Sequence, residues 1–243
     1  MLWYKAWRES RARFLLSAAA LAGICVCFVW FRADAGGGIG DQPPIYAVYI
    51  WRSIYKGYLR ELFMILAILL GLGGLMRERD SRTASFTLGL PVRRWQLLAT
   101  RTAVGLAEIV LLAMVPAFLV PALSPLIGQA YPASQAWAFA LLWATVGTLI
   151  FAMGLLASVL FTGEFTAPVV AFLGLVGYSF LANMPGIRRY LTDIHDVMSG
   201  MPNFAESTGR LTGPLPWATL LAVLLATATL IGIGARVTNR QDF

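Results

Sequence analysis

Charged residues are scarce in this chain of 243 residues. Asp, Glu, Lys and Arg together make up 13% of the sequence, whereas hydrophobic residues make up 58%. A soluble domain carries roughly 25% charged and about 45–50% apolar residues. The composition therefore excludes an ordinary soluble protein. It predicts one membrane domain, because no stretch is polar enough to form a separate soluble unit.

Cysteine and histidine are nearly lacking too. Cys25 and Cys27 are the two cysteines, and a helix would point them to different faces, so we expect no disulfide between them. The single histidine, His195, stands between Asp193 and Asp196, a pattern more typical of a solvated helix face than of a metal ligand. The sequence also contains no G-x-x-x-x-G-K-[ST] phosphate cradle and no serine in a nucleophile-elbow context. These gaps predict that the chain is not an enzyme and carries no nucleotide cofactor of its own.

Six apolar stretches are long enough, or nearly so, to cross a bilayer as helices of about 20 residues. They predict an all-α membrane protein with transmembrane helices over residues 14–31, 59–76, 102–123, 136–161, 165–184 and 215–235. The first stretch is longer than a signal-peptide core and no cleavage site follows it promptly, so we interpret it as a retained span. Residues 1–13 mix aromatic and basic side chains, which favours an interfacial helix, with a frayed basic tail as the alternative.

The net charge of +7 is interpreted as an orientation signal rather than as a nucleic-acid surface. With six spans, twelve of the nineteen Lys and Arg residues fall on the side that holds the N-terminal segment, the connector between the second and third spans, and the C-terminal tail. This bias predicts that both termini are cytoplasmic in a cytoplasmic (inner) membrane. On the opposite side, segments 45–58 and 187–201 show helical apolar spacing and either lie on the surface or dip into the bilayer.

Glu108 is a carboxylate in the body of the third predicted span. Such a group is costly in lipid and marks a functional site by default. One interpretation is a group in a translocation path or a proton relay. The other is an interhelical hydrogen bond that fixes packing.

The connector between the second and third spans holds the densest charge in the chain. Charged residues from Arg77 to Arg82 are followed by apolar Phe86, Leu88 and Leu90, and Pro91 then breaks the segment. A short helix with a charged and an apolar face is typical of a docking site for a soluble partner. A plain positive-inside anchor is the alternative, and it explains the arginines but not the Leu-Pro pair.

Residues 77–101, RERDSRTASFTLGLPVRRWQLLATR, resemble the connector of type-2 ABC exporter permeases. The positions that fit the family pattern are Glu78, Asp80, Thr83, Leu90, Pro91, Arg94 and Arg101. The chain departs from the pattern at Arg82, where the family often has Gly. Arg101 supplies the basic residue of the pattern, although the family often has Lys there. In outline the whole chain is similar to such a permease, with an N-terminal interfacial helix, six spans and a short basic tail.

The resemblance implies a permease subunit that forms a membrane path as a homo- or heterodimer. Separate ATP-binding ABC subunits would bind ATP and Mg and would dock on a cytoplasmic coupling helix between spans two and three. The residues implied in coupling are Glu78, Asp80, Arg82, Thr83, Phe86, Leu90, Pro91 and Arg94, with Glu164 in the turn after the fourth span as a second contact. The alternative is a stand-alone secondary transporter that uses Glu108 as an ion or proton site.

Overall fold

A computed structural model of the chain describes residues 2–31, 45–72, 94–161, 165–187, 191–205, 207 and 209–240. Within these ranges the protein is almost entirely helical. The helices are α1 (Leu2–Trp30), α2 (Tyr46–Ile50), α3 (Tyr58–Gly71), α4 (Arg94–Leu123), α5 (Ala133–Leu160), α6 (Thr166–Ala182), α7 (Ile194–Ser199) and α8 (Trp217–Arg240).

Short elements complete the description. A π-helical segment, Trp51–Tyr55, continues α2, and 3-10 turns occupy Ser124–Ile127 and Met201–Asn203. Strands β1 (Phe204–Ala205) and β2 (Arg210–Leu211) pair antiparallel, with Phe204 opposite Leu211.

Four of the described helices are long and apolar enough to cross a membrane, namely α1, α4, α5 and α8. The predicted all-α class and the membrane character are therefore consistent with the structure. Helix α6 is apolar but has 17 residues. Helix α3 has 14 residues, and the described chain stops one residue after it, at Leu72. Six crossings stay a prediction.

Helix α5 forms the centre of the bundle. It packs against α3, α4, α6 and α8. In an apolar stretch of 18 residues taken from each helix, 67% of the stretch in α5 is buried, compared with 22% in α1 and in α8. It contains no charged residue, which suits a helix surrounded by other helices rather than by water. The apolar faces of α1 and α8 are correspondingly exposed, as helices that face lipid would be.

Helices α3 and α5 approach each other closely through glycine. A Cβ atom added to Gly71 would lie 2.5 Å from the carbonyl oxygen of Phe151, and one added to Gly154 would lie 2.8 Å from the carbonyl oxygen of Ile68. Atoms cannot approach that closely, so both positions require the absence of a side chain. Small residues at helix contacts let backbones pack tightly where no hydrophobic driving force acts between helices in lipid.

Polar contacts show which ends of the helices lie together. Glu9 near the start of α1 pairs with Arg101 in the first turns of α4 at 2.7 Å. Arg13 Nη1 lies 3.5 Å from the carbonyl oxygen of Leu69 in the last turn of α3. Thus α1 and α4 begin, and α3 ends, at one end of the bundle, which we call the amino-terminal end.

The opposite end is covered by a small subdomain that we call the cap, made of α7, the 3-10 turn after it, and the β1–β2 pair. Helix α7 ends at Gly200, whose φ of 64° is a left-handed conformation that glycine adopts without strain. Trp51 fixes the cap to the π-helical segment, because its ring stacks on Phe204 at a centroid distance of 4.1 Å. Gln135 at the start of α5 also donates to the carbonyl oxygen of Gly209 at 2.9 Å.

Segment 45–58 packs into this end of the bundle, because Trp51, Ile54 and Tyr55 are fully buried. Tyr49 of α2 reaches the carbonyl oxygen of Phe28 at the end of α1, at 3.0 Å. In the described part of segment 187–201, which is residue 187 and residues 191–201, the α-helix is α7 with six residues.

Residues 2–13, from the segment predicted as an interfacial helix, continue without a break into the first predicted span, and their position at an interface stays a prediction. Residues 2–30 form one continuous helix. Residues 2–13 contain no proline or glycine that would break it, and Glu9 and Ser10 hold its first turns against α4. The helix that contains the third predicted span begins before residue 102, because α4 starts at Arg94.

Candidate functional site

The predicted coupling residues Glu78, Asp80, Arg82, Thr83, Phe86, Leu90 and Pro91 lie outside the described residues, as does Glu164. Arg94 is the first residue of α4, and its side chain is outside them as well. The structure therefore bears on the coupling element through the two helices that flank it.

Both flanking helices contact the first half of α1. The last turn of α3 lies beside Arg13, and Arg101 of α4 pairs with Glu9, whose carboxylate is also 3.7 Å from Lys5. The side chain of Arg101 is 14% exposed and that of Glu9 is 38% exposed, so the pair lies at the edge of the bundle rather than in its core. The last turn of α3 and the first turns of α4 thus lie at the end of the bundle where the basic start of α1 lies.

Glu108 lies between α4 and α1. Its side chain is almost completely buried, and Ser10 Oγ donates a hydrogen bond to its Oε1. Arg13, one helical turn beyond Ser10, is the cation whose charge acts on the carboxylate. The other carboxylate oxygen, Oε2, has no hydrogen-bond partner in the described part of the chain.

This environment is compatible with both interpretations of Glu108. The contact with Ser10 joins two helices, as a packing hydrogen bond does. A buried carboxylate with one unpaired oxygen inside a span is also the kind of group that a translocation path or a proton relay uses. The partner that the sequence did not reveal is Ser10, since it lies 98 residues away in a segment predicted to be at the interface.

A second polar group, which we call the His195 cluster, lies at the cap end. Asp193 caps α7 by accepting a hydrogen bond of 3.0 Å from the His195 amide, and its Oδ1 lies 3.0 Å from His195 Nδ1. Two residues of α6 join it. Ser179 Oγ is 2.9 Å from His195 Nδ1, and Asn183 Nδ2 donates to Asp193 Oδ2 at 2.6 Å.

Helix α3 supplies the other side of the cluster. Glu61 Oε2 lies 3.7 Å from His195 Nε2, which is an ion-pair contact rather than a hydrogen bond. Arg60 donates to the carbonyl oxygen of His195 at 3.1 Å and to Glu61 Oε1 at 2.5 Å. The His195 side chain is 22% exposed, so the prediction of a solvated helix face is wrong. The reason is that α3 and α6 pack against the short helix on which it lies.

The charges of the cluster favour a protonated imidazole. The Glu61 carboxylate raises the pKa of His195 above its ordinary value, opposed by partial burial and assisted by Asp193. Burial acts to raise the pKa of Asp193, but hydrogen bonds from the His195 amide and from Asn183 hold that pKa below its ordinary value. The two carboxylates on either side of the ring thus favour the protonated form of His195.

The cluster is not arranged for serine hydrolysis. In a Ser-His-Asp triad the histidine accepts the serine proton on one nitrogen while an acid holds the other. Here Asp193 and Ser179 share Nδ1, and Glu61 faces Nε2, so both nitrogens face carboxylates and neither is free to act as a base. Within the described ranges, no group of three His, Cys, Asp or Glu side chains is placed to hold a metal ion.

Sequence reasoning missed the cluster because its members come from residues 60–61, 179–183 and 193–195. A weak signal was present. Asp193 directly precedes an apolar-periodic helix, as an N-cap does, and Arg60 and Glu61 stand at the predicted start of a span on the same side.

Comparison of the chain with models of known protein families finds no match, and comparison with curated proteins finds none either.

Proposed function

We propose that the chain is the permease subunit of an ATP-driven ABC exporter. The observation that supports it is that α3 ends and α4 begins at the amino-terminal end, next to the Glu9–Arg101 pair and the basic start of α1. In the sequence, the predicted coupling residues stand between these two helices. A docking element for a soluble partner has to lie at the cytoplasmic end of the bundle. The distribution of Lys and Arg in the sequence favours the amino-terminal end as the cytoplasmic one.

In this proposal the connector is a coupling helix that fits a groove on a separate ATP-binding subunit. Its contacts are made by Glu78, Asp80, Arg82, Thr83, Phe86, Leu90, Pro91 and Arg94, with Glu164 as a second contact. The partner binds ATP and Mg, and this chain takes no part in the nucleotide chemistry. Closure of two ATP-binding subunits moves two permease chains, identical or related, between inward- and outward-open forms.

In this proposal the six spans are α1, α3, α4, α5, α6 and α8. The protein lies in the cytoplasmic (inner) membrane, and both termini are in the cytoplasm. An even number of crossings brings the connector, the start of α1 and the end of α8 to one side. The apolar outer faces of α1 and α8 then meet lipid or a second permease chain.

Co-purification and transport in vesicles test the proposal. We expect a tagged chain to retain an ABC-type ATP-binding subunit, and transport to require ATP. Glu78→Ala and Arg82→Glu should abolish ATP-dependent transport while leaving membrane insertion intact. Arg210→Glu is the matched control, because it reverses an exposed arginine at the cap end, far from the connector. Substrate movement by the purified chain alone would refute the permease function.

The second candidate is a stand-alone secondary transporter, and the unpaired Oε2 of buried Glu108 favours it. In this case Glu108 binds and releases the coupling proton. Transport would be abolished by a protonophore and by Glu108→Gln, and it would be indifferent to ATP. Those three results together would replace the first candidate by the second.

A further inference from the structure

We propose that the His195 cluster is a pH-responsive latch that holds the cap to α3 and α6, closed when His195 is protonated and loosened when it is neutral. The inference concerns the cap alone and does not depend on the permease function.

The latch is placed where three parts of the chain meet. Arg60 and Glu61 come from α3, Ser179 and Asn183 come from α6, and His195 comes from the cap. Tyr178 of α6 adds a hydrogen bond of 2.9 Å to the carbonyl oxygen of Thr192, immediately before the cap helix. One imidazole thus contacts both neighbouring helices at once.

The opposite edge of the cap is held by groups that do not titrate. Trp51 donates to the carbonyl oxygen of Ser199 at 2.7 Å and stacks on Phe204, and Gln135 donates to the carbonyl oxygen of Gly209. These contacts are the same at any pH near neutrality. A change in the charge of His195 therefore loosens one edge of the cap while the other edge remains attached as a hinge.

The charged groups around His195 determine the direction of the response. Helix α3 presents Glu61 and the opposing cation Arg60, α6 presents the neutral phenol of Tyr178, and the cap itself carries Asp193 and Asp196. Helix α5, which packs against α7, contains no titratable residue. The two carboxylates within 4 Å of the ring, Glu61 and Asp193, both stabilise the protonated imidazolium form of His195.

The pH window follows from these shifts. His195 has a raised pKa in the closed cap, so the latch is complete below the ordinary histidine pKa of about 6.5 and is lost as pH rises through the raised value. Asp193 has a lowered pKa, so its contribution is present above about 4 and is lost as pH falls through the lowered value. The latch is strongest between these limits and opens on the alkaline side, as pH rises through the raised pKa of His195.

Hydrogen exchange of the full chain in lipid nanodiscs tests the latch. Exchange of the amides in Ile194–Ser199 is measured between pH 5.5 and 8.5 and corrected for the intrinsic pH dependence of exchange. We expect the corrected protection to fall roughly fivefold across this range, the scale of a partly exposed ion pair. In His195→Gln, which hydrogen-bonds but does not titrate, protection should be low at every pH.

Two further variants complete the test. Asp196→Asn removes an acid from the same helix without removing either carboxylate that faces the ring, and it should behave as the unmodified chain does. Glu61→Gln should make the pH-dependent loss of protection smaller and move it to lower pH. This variant takes the place of His195→Gln if His195→Gln does not insert into the membrane. A pH response that is absent from the unmodified chain, or that persists unchanged in His195→Gln or Glu61→Gln, would overturn the inference.

Discussion

The indole nitrogen of Trp51 donates a hydrogen bond of 2.7 Å to the carbonyl oxygen of Ser199, 148 residues away in the chain. Both groups are buried, and the same ring stacks on Phe204. Trp51 is thereby a central contact between the helix before α3 and the cap.

Replacing Trp51 separates its two contributions. Trp51→Phe keeps an aromatic ring against Phe204 but leaves the Ser199 carbonyl without its donor, so we expect a loss of about 1–3 kcal/mol in the free energy of unfolding. Trp51→Ala also removes the packed ring and should cost about 3–5 kcal/mol. The apparent melting temperature in detergent measures both. Trp30→Phe, at an exposed position, is the control and should leave the melting temperature unchanged.

The close approach of α3 and α5 makes a second prediction. Gly154→Ala would force its new methyl group against the carbonyl oxygen of Ile68, so we expect a destabilisation of about 1–3 kcal/mol. Gly177→Ala in α6 is the matched control, because nothing lies within 4 Å of the position that its Cβ would take. That variant should be neutral or slightly stabilising, since alanine favours helix over glycine by up to about 1 kcal/mol. Equal melting temperatures for the two variants would contradict the packing described.

The helical class of this fold was predicted from long apolar runs, whereas the central place of α5 became evident only from the structure. Its run is the longest of those predicted and contains no charge, which leaves burial among other helices as the natural environment. The continuity of α1 was not predicted, because the aromatic and basic composition of its start indicates an interfacial helix that is separate from the span. The side chains that decide the geometry, Glu9 and Ser10, have partners 92 and 98 residues away.

The candidate sites were less predictable for the same reason. Glu108 was recognisable, because a carboxylate in an apolar run is conspicuous wherever it points. His195 was misinterpreted, because its neighbours in sequence indicate a solvated face whereas its neighbours in space are Glu61 and Ser179. Apolar periodicity reports which face of a helix is buried, but it does not report which polar side chains meet across the bundle.

The Glu9–Arg101 pair predicts a charge-swap result. Arg101→Glu places two acids together and should lower the melting temperature, and Glu9→Arg should do the same with two cations. The double variant restores opposite charges and should recover part of the loss, with a coupling energy of about 0.2–1 kcal/mol because the pair is partly exposed. Recovery should weaken at high salt, where exposed pairs are screened. Strictly additive single effects would indicate that the pair contributes nothing.

Ser10 and Glu108 should respond unequally to the loss of their partner. Ser10→Ala leaves both oxygens of a buried carboxylate unpaired, and an unsatisfied buried polar group costs about 1–3 kcal/mol. Glu108→Leu leaves Ser10 Oγ within reach of the carbonyl oxygens of Ala6 and Trp7, at 3.2 and 3.3 Å, and fills the buried site with an apolar side chain. We therefore expect Ser10→Ala to lower the melting temperature more than Glu108→Leu does, although it deletes the smaller group. Glu108→Gln, which can still accept a hydrogen bond from Ser10, should match the unmodified chain. A larger loss for Glu108→Leu than for Ser10→Ala would mean that the carboxylate makes a stabilising contact beyond the one with Ser10.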